Sequence, residues 1–403
     1  MKIGIIREGK NPPDKRVALS PKQCVVVTQL FPEIDLVIQP SPIRAFVDSE
    51  YESQGLSLQE DLSDCDVLIG VKEVPLDMLI PHKTYLFFSH TYKMQPYNSK
   101  LLSSLLDKNI RLIDYEMLTR PNGKRVIGFG RYAGIVGAYN AFRAWGEQSG
   151  DYTLKAAHAC FDRKEMEQEL TKVKLANNIK IALTGDGRVA HGSMEILQAL
   201  KMRKVSAADY LSSDFDEPVY SQLLVDDYFK KTDGSSFKRS EFYNDASGFE
   251  SNFGPFAQQT DLFIASHFWS EKSPFLFTRD DAKSSNFKIR LISDISCDID
   301  GPVASTLRPS TIAQPFYGYD TVNEAEVPFG TQGSIGVSAV DNLPCELPKD
   351  ASEDFGNEMI KNVLPHFFNG DKDEVLARAT ETTLAGELTA KYAYLADYAN
   401  GRL

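Results

Sequence analysis

Short apolar runs, separated by longer polar stretches, recur along the first third of the chain. Five of these runs are predicted strands: Lys2–Ile6, Leu36–Ile38, Asp66–Gly70, Thr84–Ser89 and Ile110–Asp114. Their continuous apolar character is typical of parallel strands that are buried on both faces. Two of the intervening stretches, Pro21–Leu30 with Ser20 as its N-cap and Asn98–Leu106, are predicted helices. Strands that alternate with helices predict an α/β domain with a parallel sheet.

Charged side chains follow almost every one of these strands. The residues just beyond the predicted strand ends include Arg7 and Glu8, Lys72 and Glu73, His90, and Glu116. In parallel sheets, ligands bind in the crevice beyond the carboxyl ends of the strands. The sequence therefore predicts one polar cleft lined by these groups.

The alternation of strand and helix begins again near residue 179. Ile179–Thr184 is a predicted strand that leads into the glycine-rich segment 185–192 and then into a predicted helix, Ser193–Lys201. Glycines in this context permit a tight turn and the close approach of a pyrophosphate to a helix N-terminus. Ala190 replaces the third glycine of the usual motif. The candidate dinucleotide-binding residues here are Gly185, Gly187, Arg188, Val189 and Gly192.

The identity of the dinucleotide stays open at this point. Asp209 follows Gly187 at roughly the 20-residue distance of the acid that holds the ribose 2′-hydroxyl of NAD. Lys201, Arg203 and Lys204 precede the same predicted strand and could instead meet the 2′-phosphate of NADP. Both cofactors therefore remain candidates.

The rest of the chain has a less regular pattern. Residues 214–260 have little clear period and are predicted to form a surface insertion or an irregular subdomain. Further strands are predicted at Asp261–Ala265, Lys288–Ile292 and Ile335–Val340, and helices at Glu353–Phe367 and Glu374–Asn400.

Composition and charge restrict the classes of partner. The 403 residues include 44 Lys and Arg against 56 Asp and Glu, a net charge of −12. Because nucleic-acid binding needs clustered basic residues, this balance argues against it. The charged N-terminus and the lack of a long apolar stretch predict neither a signal peptide nor a membrane helix. Five cysteines without a CxxC pair are typical of reduced thiols in a cytoplasmic protein.

No metal site is expected. Asp294 and Asp298 could pair around a cation, but no third ligand is visible near them in the sequence. A zinc site needs clustered cysteine, histidine or carboxylate residues, and the sequence has no such cluster.

Several blocks together resemble a known family. They are Asp14–Pro21, Gly70–Glu73, Phe87–Lys93, Arg111–Glu116, Phe129–Gly134, Asp294–Asp298 and Val340–Pro344. In these blocks the chain resembles the lysine-forming saccharopine dehydrogenases and the lysine–2-oxoglutarate reductase half of a bifunctional lysine-degrading enzyme. Both lie within the wider alanine dehydrogenase and transhydrogenase fold group. The resemblance runs along nearly the whole chain and is weakest across 214–260.

The resemblance implies a fold and a reaction. The fold would be α/β, with two Rossmann-like domains that have parallel sheets and an interdomain active-site cleft. Residues 1–137 plus 341–403 would form the substrate domain, and residues 138–340 the dinucleotide-binding domain, with an insertion near 214–260. The reaction would interconvert lysine, 2-oxoglutarate and NADH or NADPH with saccharopine and the oxidised cofactor.

The resemblance also assigns roles to individual residues. Lys72 and His90 match the catalytic acid–base pair of the family. The substrate-contacting or neighbouring positions are Arg16, Glu73, Lys93, Glu116 and Phe129. The positions close to the nucleotide are Arg125, Asp294, Ile295, Ser296 and Cys297. A histidine and a lysine among other cations suit the proton transfers of secondary-amine formation, because both side chains can then titrate near neutral pH.

Two other functions remain open from the residues alone. One is an alanine- or opine-type amino-acid dehydrogenase of the same fold, since a lysine and a histidine serve oxidative deamination generally. The other is a non-catalytic, nucleotide-binding regulator. The presence of both Lys72 and His90 argues against the regulator.

Overall fold

The computed structural model describes residues 1–402, which divide into two compact units. Unit 1 combines Met1–Phe129 with the C-terminal segment that begins at Pro348, and unit 2 is the continuous stretch Gly130–Leu347. These divisions lie before the predicted 137/138 boundary and after the predicted 340/341 boundary. The earlier division coincides with the start of a long helix at Gly130, whose glycines pack against a helix of unit 2.

Unit 1 is built on a six-stranded, fully parallel sheet. Its strands are β1 Lys2–Ile5, β2 Asp35–Ile38, β3 Ser57–Leu58, β4 Val67–Ile69, β5 Thr84–Phe87 and β6 Arg111–Asp114. Their order across the sheet is β3-β2-β1-β4-β5-β6. All the carboxyl ends therefore lie at one edge of the sheet, as the sequence pattern predicted.

The helices of unit 1 come from both ends of the chain. They are α1 Pro21–Leu30, α2 Asp48–Glu52, α3 Ser99–Asp107, α12 Pro348–Asn362, α13 Val375–Ala379 and α14 Ala396–Ala399. The prediction for α1 is confirmed, because the Ser20 hydroxyl accepts a hydrogen bond from the Gln23 amide in a capping box. The predicted continuous helix Glu374–Asn400 is wrong. Its residues form α13, a 3-10 helix at Ala390–Leu395 and α14, and a turn lies within the intervening residues 380–389.

Unit 2 holds an eight-stranded mixed sheet and a separate hairpin. The strands are β7 Lys180–Thr184, β8 Arg203–Val205, β9 Val219–Leu223, β10 Phe229–Lys231, β11 Phe249–Ser251, β12 Leu262–Ala265, β13 Leu291–Asp294, β14 Phe316–Asp320, β15 Ala325–Val327 and β16 Ile335–Ser338. The sheet order is β15-β14-β16-β13-β12-β7-β9-β8, with β14 antiparallel to both of its neighbours. Strands β10 and β11 form the hairpin.

One strand of this sheet lies inside the stretch that was predicted to be an irregular insertion. Strand β9 pairs along its whole length with β7 and lies between β7 and β8. The prediction for 214–260 is therefore wrong over this strand. Its sequence, Val-Tyr-Ser-Gln-Leu, carries two polar residues, and Ser221 is nevertheless fully buried in the sheet. The apolar signal of a buried strand is weak in such a sequence.

The helices of unit 2 are α4 Gly130–Ser149, α5 Arg163–Glu169, α6 Arg188–Ala199, α7 Ala207–Ser212, α8 Val225–Tyr228, α9 Arg239–Asn244, α10 Gly254–Ala257 and α11 Arg279–Lys283. Helices α4 and α6 pack with their backbones in contact at two glycines. A Cβ added at Gly134 would lie 1.9 Å from the Val189 carbonyl oxygen, and one at Gly192 would lie 1.9 Å from the Arg131 carbonyl oxygen. Only glycine permits so close an approach.

Within residues 1–402, no helix combines the length and the apolar character that a bilayer span requires.

Candidate active site

The carboxyl end of β1 supports the turn that carries Lys72. Glu8 follows this strand and is buried, and its two carboxyl oxygens accept hydrogen bonds from the Val71 amide at 2.7 Å and the Lys72 amide at 2.8 Å. Burial raises the pKa of Glu8 to about 8, although the two amide hydrogen bonds oppose this shift. These two hydrogen bonds therefore hold the backbone of Val71 and Lys72 in place.

A buried cation lies beside this turn. Arg16 is almost fully buried, and its guanidinium donates to the Asp14 carboxylate at 2.6 and 3.0 Å. The same guanidinium lies 4.2 Å from the centroid of the Phe129 ring, which stacks on Phe355 at 4.4 Å. Burial disfavours the ionised form of Asp14, but the charge and hydrogen bonds of Arg16 outweigh it and lower the pKa to about 2.

The charges of nearby cations also act on the side chain of Lys72. Burial, followed by the charges of Arg16 and Lys10, lowers the pKa of Lys72 from its ordinary value, against the opposing charges of Glu73 and Asp14. A larger fraction of Lys72 is therefore neutral near physiological pH, which is the form that can accept a proton.

His90 lies between two carboxylates. Its Nδ1 is 2.9 Å from Glu116 Oε2, and its Nε2 is 3.8 Å from Glu73 Oε1. The other oxygen of Glu73 accepts a hydrogen bond from Lys10 at 2.7 Å, whereas Glu73 Oε1 has no hydrogen-bond partner within residues 1–402. The Nε2 side of the ring is thus the side on which the imidazole can exchange a proton with a ligand.

Glu116 contacts two further cations. Besides His90, its carboxylate contacts Lys93 at 3.1 Å and Arg125 at 3.3 Å. Burial opposes the ionisation of Glu116, but the His90 hydrogen bond and the two cations outweigh it and lower its pKa to about 2. Arg125 was predicted to lie close to the nucleotide, and the structure places it on Glu116 beside His90.

The glycine-rich turn in unit 2 has room for a ligand at one position. Helix α6 begins at Arg188, five residues before its predicted start, and Gly187 is its N-cap. Nothing lies within 4 Å of a Cβ built at Gly187, whereas Gly185 has φ +103° and packs against the Ser266 carbonyl. The turn therefore faces open space at Gly187, at the N-terminus of a 12-residue helix.

Two predicted cofactor residues have other surroundings. Gly192 lies on the buried face of α6 against the Arg131 carbonyl, so its lack of a side chain serves helix packing. Asp209 lies on the short helix α7, where its carboxylate accepts a hydrogen bond from the N-cap Ser206 at 2.7 Å. Asp209 follows β8, whereas the strand that lies beside β7 is β9, so the ribose-binding role of Asp209 stays a prediction.

The turn after β13 is stabilised by hydrogen bonds to the side chain of Asp294. Asp294 is fully buried and accepts hydrogen bonds from Ser296 and from Thr306 Oγ1 at 2.7 Å, and burial raises its pKa to about 6. Cys297 has φ +51°, and burial raises the pKa of its thiol to about 12. A Cβ added at Gly137 of α4 would lie 2.5 Å from the Ile295 side chain. The side chains of Asp294 and Ile295 therefore make hydrogen bonds and packing contacts within the fold.

The carboxyl end of β9 supplies groups that sequence reasoning missed. Asp226 follows this strand, and its carboxylate accepts a hydrogen bond from Arg239 at 2.7 Å. The charge of Asp186, between the two glycines of the turn, also acts on Arg239. An acid at the end of the strand beside β7 is where a Rossmann fold recognises the ribose. The assignment depends on strand order, which the sequence spacing did not reveal.

Among residues 1–402, no group of three or more histidine, cysteine or carboxylate side chains is arranged to hold a metal ion.

Comparisons with known proteins show what the chain is similar to. The family model described as the N-terminal domain of alanine dehydrogenase/PNT matches residues 4–136. Alpha-aminoadipic semialdehyde synthase of Mus musculus is 30% identical over 98% of this chain, which spans only 47% of that protein. The lysine-forming, NAD(+)-type saccharopine dehydrogenase of Schizosaccharomyces pombe is 26% identical over 89% of this chain and 91% of its own length.

The solved structures agree on the fold. An L-alanine dehydrogenase superposes with a TM-score of 0.65 over the full length of both chains at 18% sequence identity. That structure supports the α/β fold. In sequence, the chain is similar to saccharopine dehydrogenase and to alpha-aminoadipic semialdehyde synthase, and residues 4–136 match the N-terminal domain of alanine dehydrogenase/PNT.

Proposed function

We propose that this chain catalyses the reductive condensation of lysine with 2-oxoglutarate to saccharopine, and its reverse, with a nicotinamide dinucleotide. The observation that carries the proposal is the acid–base arrangement in unit 1. There, Lys72 has a lowered pKa, and His90 lies between Glu73 and Glu116. Among the relatives, saccharopine dehydrogenase and alpha-aminoadipic semialdehyde synthase give the same indication.

The proposed chemistry needs several proton transfers. The amino group of lysine must lose a proton before it attacks the ketone carbon, and the resulting carbinolamine must lose water to form an imine. Neutral Lys72 is suited to accept the first proton, because neighbouring cations disfavour its charged form. His90, with Glu116 on Nδ1, can donate from Nε2 to the leaving hydroxyl. Arg16, Lys93 and Arg125 supply positive charge for the substrate carboxylates.

The cofactor would be held by unit 2. The Gly185–Gly187 turn and the first amides of α6 fit a pyrophosphate, because a Cβ at Gly187 meets open space. A reduced nicotinamide would supply the hydride that, once the imine nitrogen is protonated, converts it into the secondary amine. The carboxyl end of β9, with Asp226 and Arg239, would face the adenosine ribose.

A direct assay tests the reaction. Nicotinamide absorbance is followed with lysine plus 2-oxoglutarate in one mixture and with pyruvate plus ammonia in another, each with NADH and with NADPH. Oxidation in the first mixture only is the expected result. Oxidation in the second mixture only would favour an alanine-type dehydrogenase, in line with the alanine dehydrogenase fold. Cofactor binding with no oxidation in either mixture would leave the non-catalytic regulator.

The Asp226–Arg239 pair predicts where the choice between cofactors is made. An arginine at this place can bind the 2′-phosphate of NADP, whereas the acid suits the 2′-hydroxyl of NAD. Arg239→Ala should weaken NADPH binding about tenfold or more and leave NADH binding within about twofold, since only one cofactor carries the phosphate. Dissociation constants for both cofactors, measured by fluorescence titration, check this.

The matched control is Arg203→Ala on β8, whose side chain pairs with Glu217. Arg203 was also a candidate to meet the 2′-phosphate, and if the ribose lies at β9 its removal should change neither affinity. A selective loss of NADPH binding in Arg203→Ala, with none in Arg239→Ala, would place the discriminating group on β8.

A further inference from the structure

Four buried side chains form a chain of contacts behind the turn that carries His90. Ser89 contacts Asp114, Ser89 Oγ lies 2.5 Å from Thr91 Oγ1, and Thr91 Oγ1 lies 2.6 Å from Glu381 Oε2. Glu381 belongs to the C-terminal part of unit 1, and all four side chains are essentially inaccessible to solvent. His90 lies between the two hydroxyl residues in sequence and has the left-handed φ of +55°.

The number of hydrogens shared by these four side chains determines whether the carboxyl groups at the two ends of the series, Asp114 and Glu381, are charged. Three oxygen–oxygen contacts need three hydrogens, and the two hydroxyl groups supply only two. If Ser89 donates to Asp114 and Thr91 donates to Glu381, no hydrogen is left for the 2.5 Å contact between the hydroxyl oxygens. One of the two carboxyl groups must therefore be protonated and act as the third donor.

The surroundings indicate which carboxyl holds that proton. Asp114 accepts backbone hydrogen bonds from the Ser89 amide at 2.9 Å and the Glu116 amide at 2.6 Å, and both favour its ionised form. Glu381 Oε1 has no hydrogen-bond partner within residues 1–402. A buried carboxylate without donors is costly, so the neutral form suits Glu381.

We propose that Glu381 is a positioning residue that, in its protonated form, holds the His90 turn through Thr91, Ser89 and Asp114. The order of donation is Glu381 to Thr91, Thr91 to Ser89, and Ser89 to Asp114. Asp114 in turn holds the amides of Ser89 and Glu116, so one carboxylate fixes both the segment before His90 and the carboxylate that His90 contacts. The role of Glu381 in turnover rests on the proposed function, whereas the protonation of Glu381 follows from its own contacts.

Burial raises the pKa of both carboxyl groups, but at Asp114 the hydrogen bonds from Ser89 and from the Glu116 amide oppose this shift. Burial, followed by the negative charge of Asp114, raises the pKa of Glu381 to about 8, and the Thr91 hydrogen bond opposes this only in part. The other titratable groups that act on or around Glu381 are Glu116, Lys391, Tyr92, Tyr392, Tyr394 and Tyr398. Only Lys391 among these groups carries a positive charge. Loss of the Glu381 proton would place two buried anions at the ends of one hydrogen-bonded chain.

Glu381→Gln tests the proton without removing the contacts, because an amide can donate to Thr91 in the same way. In the native protein kcat should fall as the pH rises through about 8 with KM little changed, and in Glu381→Gln this fall should shift by about one pH unit or more. Thr91→Val, which breaks the chain, should lower kcat about tenfold at neutral pH. Glu387→Gln, exposed on the same segment, is the matched control.

Two further measurements do not depend on turnover. The infrared spectrum at neutral pH should contain a carboxylic-acid carbonyl band that is absent from Glu381→Gln and present in Glu387→Gln. Because folding raises the pKa of Glu381 from 4.5 to about 8, its contribution to stability is full below pH 4.5 and is lost as the pH rises to about 8. The unfolding midpoint of Glu381→Gln should therefore decline less over this range.

An unchanged infrared band together with an unchanged pH dependence of stability in Glu381→Gln would overturn the proposal, whether or not the protein turns over lysine. A lost band combined with an unaltered pH profile of kcat would overturn the positioning role. Absence of turnover with every substrate would contradict the proposed function and leave these two measurements to decide the charge state.

Discussion

Lys72→Met lowers kcat by about 10²- to 10⁴-fold and leaves dinucleotide affinity unchanged, if Lys72 is the proton acceptor of the proposed reaction. Methionine keeps the approximate size and the apolar stem of the side chain but cannot carry a proton. The glycine turn proposed to hold the dinucleotide belongs to unit 2, whereas Lys72 belongs to unit 1. Steady-state kinetics with lysine and 2-oxoglutarate, together with a cofactor titration, measure the two effects separately.

Lys72→Arg distinguishes a proton acceptor from a fixed positive charge. Arginine keeps the charge but does not release its proton in proteins. If the pKa of Lys72 is lowered because the neutral form works, Lys72→Arg should be nearly as inactive as Lys72→Met. Recovery of most of the activity in Lys72→Arg would show that Lys72 acts only as a charge that binds carboxylate. Lys100→Met, exposed on α3, is the control for the loss of a lysine.

Gly192→Ala should destabilise the protein by about 3 kcal/mol, since a methyl group there would lie 1.9 Å from the Arg131 carbonyl oxygen in α4. The obstacle is backbone inside a helix, so a side-chain rotation cannot relieve it. Gly134→Ala should have a similar effect, because it meets the Val189 carbonyl of α6 at the same distance. Chemical denaturation monitored by circular dichroism gives both free energies of unfolding.

Gly187→Ala, at the N-cap of α6, should affect ligand binding and not stability. Its backbone has φ −92° and ψ −173°, which any residue adopts, and no atom lies within 4 Å of the added Cβ. Its stability should match that of the native protein while dinucleotide affinity falls, because the methyl group occupies the space proposed for the pyrophosphate. Normal stability with lost cofactor affinity in Gly192→Ala would instead assign that glycine to the ligand.

The features that sequence predicted well are local ones. The N-cap at Ser20 and the charged groups after almost every predicted strand of unit 1 depend on neighbouring residues, and such signals are visible in a window of a few positions. The pairing of β9 with β7 is not local, because a strand with Ser221 and Gln222 in its centre has no apolar run to identify it. Asp209 was predicted from its spacing to Gly187 alone, which carries no information on this strand order.

The supporting residues of the candidate site were harder to find than its reactive ones. Lys72 and His90 stand at strand ends where charged side chains are conspicuous. Glu8 supports Lys72 by accepting a hydrogen bond from its backbone amide. Glu381 contacts Thr91 although the two residues are 290 positions apart in the sequence. Neither relation follows from periodicity or from a motif, because each depends on which parts of the chain the fold brings together.

The composition of unit 1 from both parts of the chain has a consequence for synthesis on the ribosome. Unit 2 is one continuous stretch and can complete its core while the segment from Pro348 is still being made. Unit 1 must wait for that segment, which delivers Glu381 to the Thr91 hydroxyl. A nascent chain would therefore contain the glycine-rich turn, Lys72 and His90 well before Glu381 can support the His90 turn, so that support forms only once the segment from Pro348 has been made.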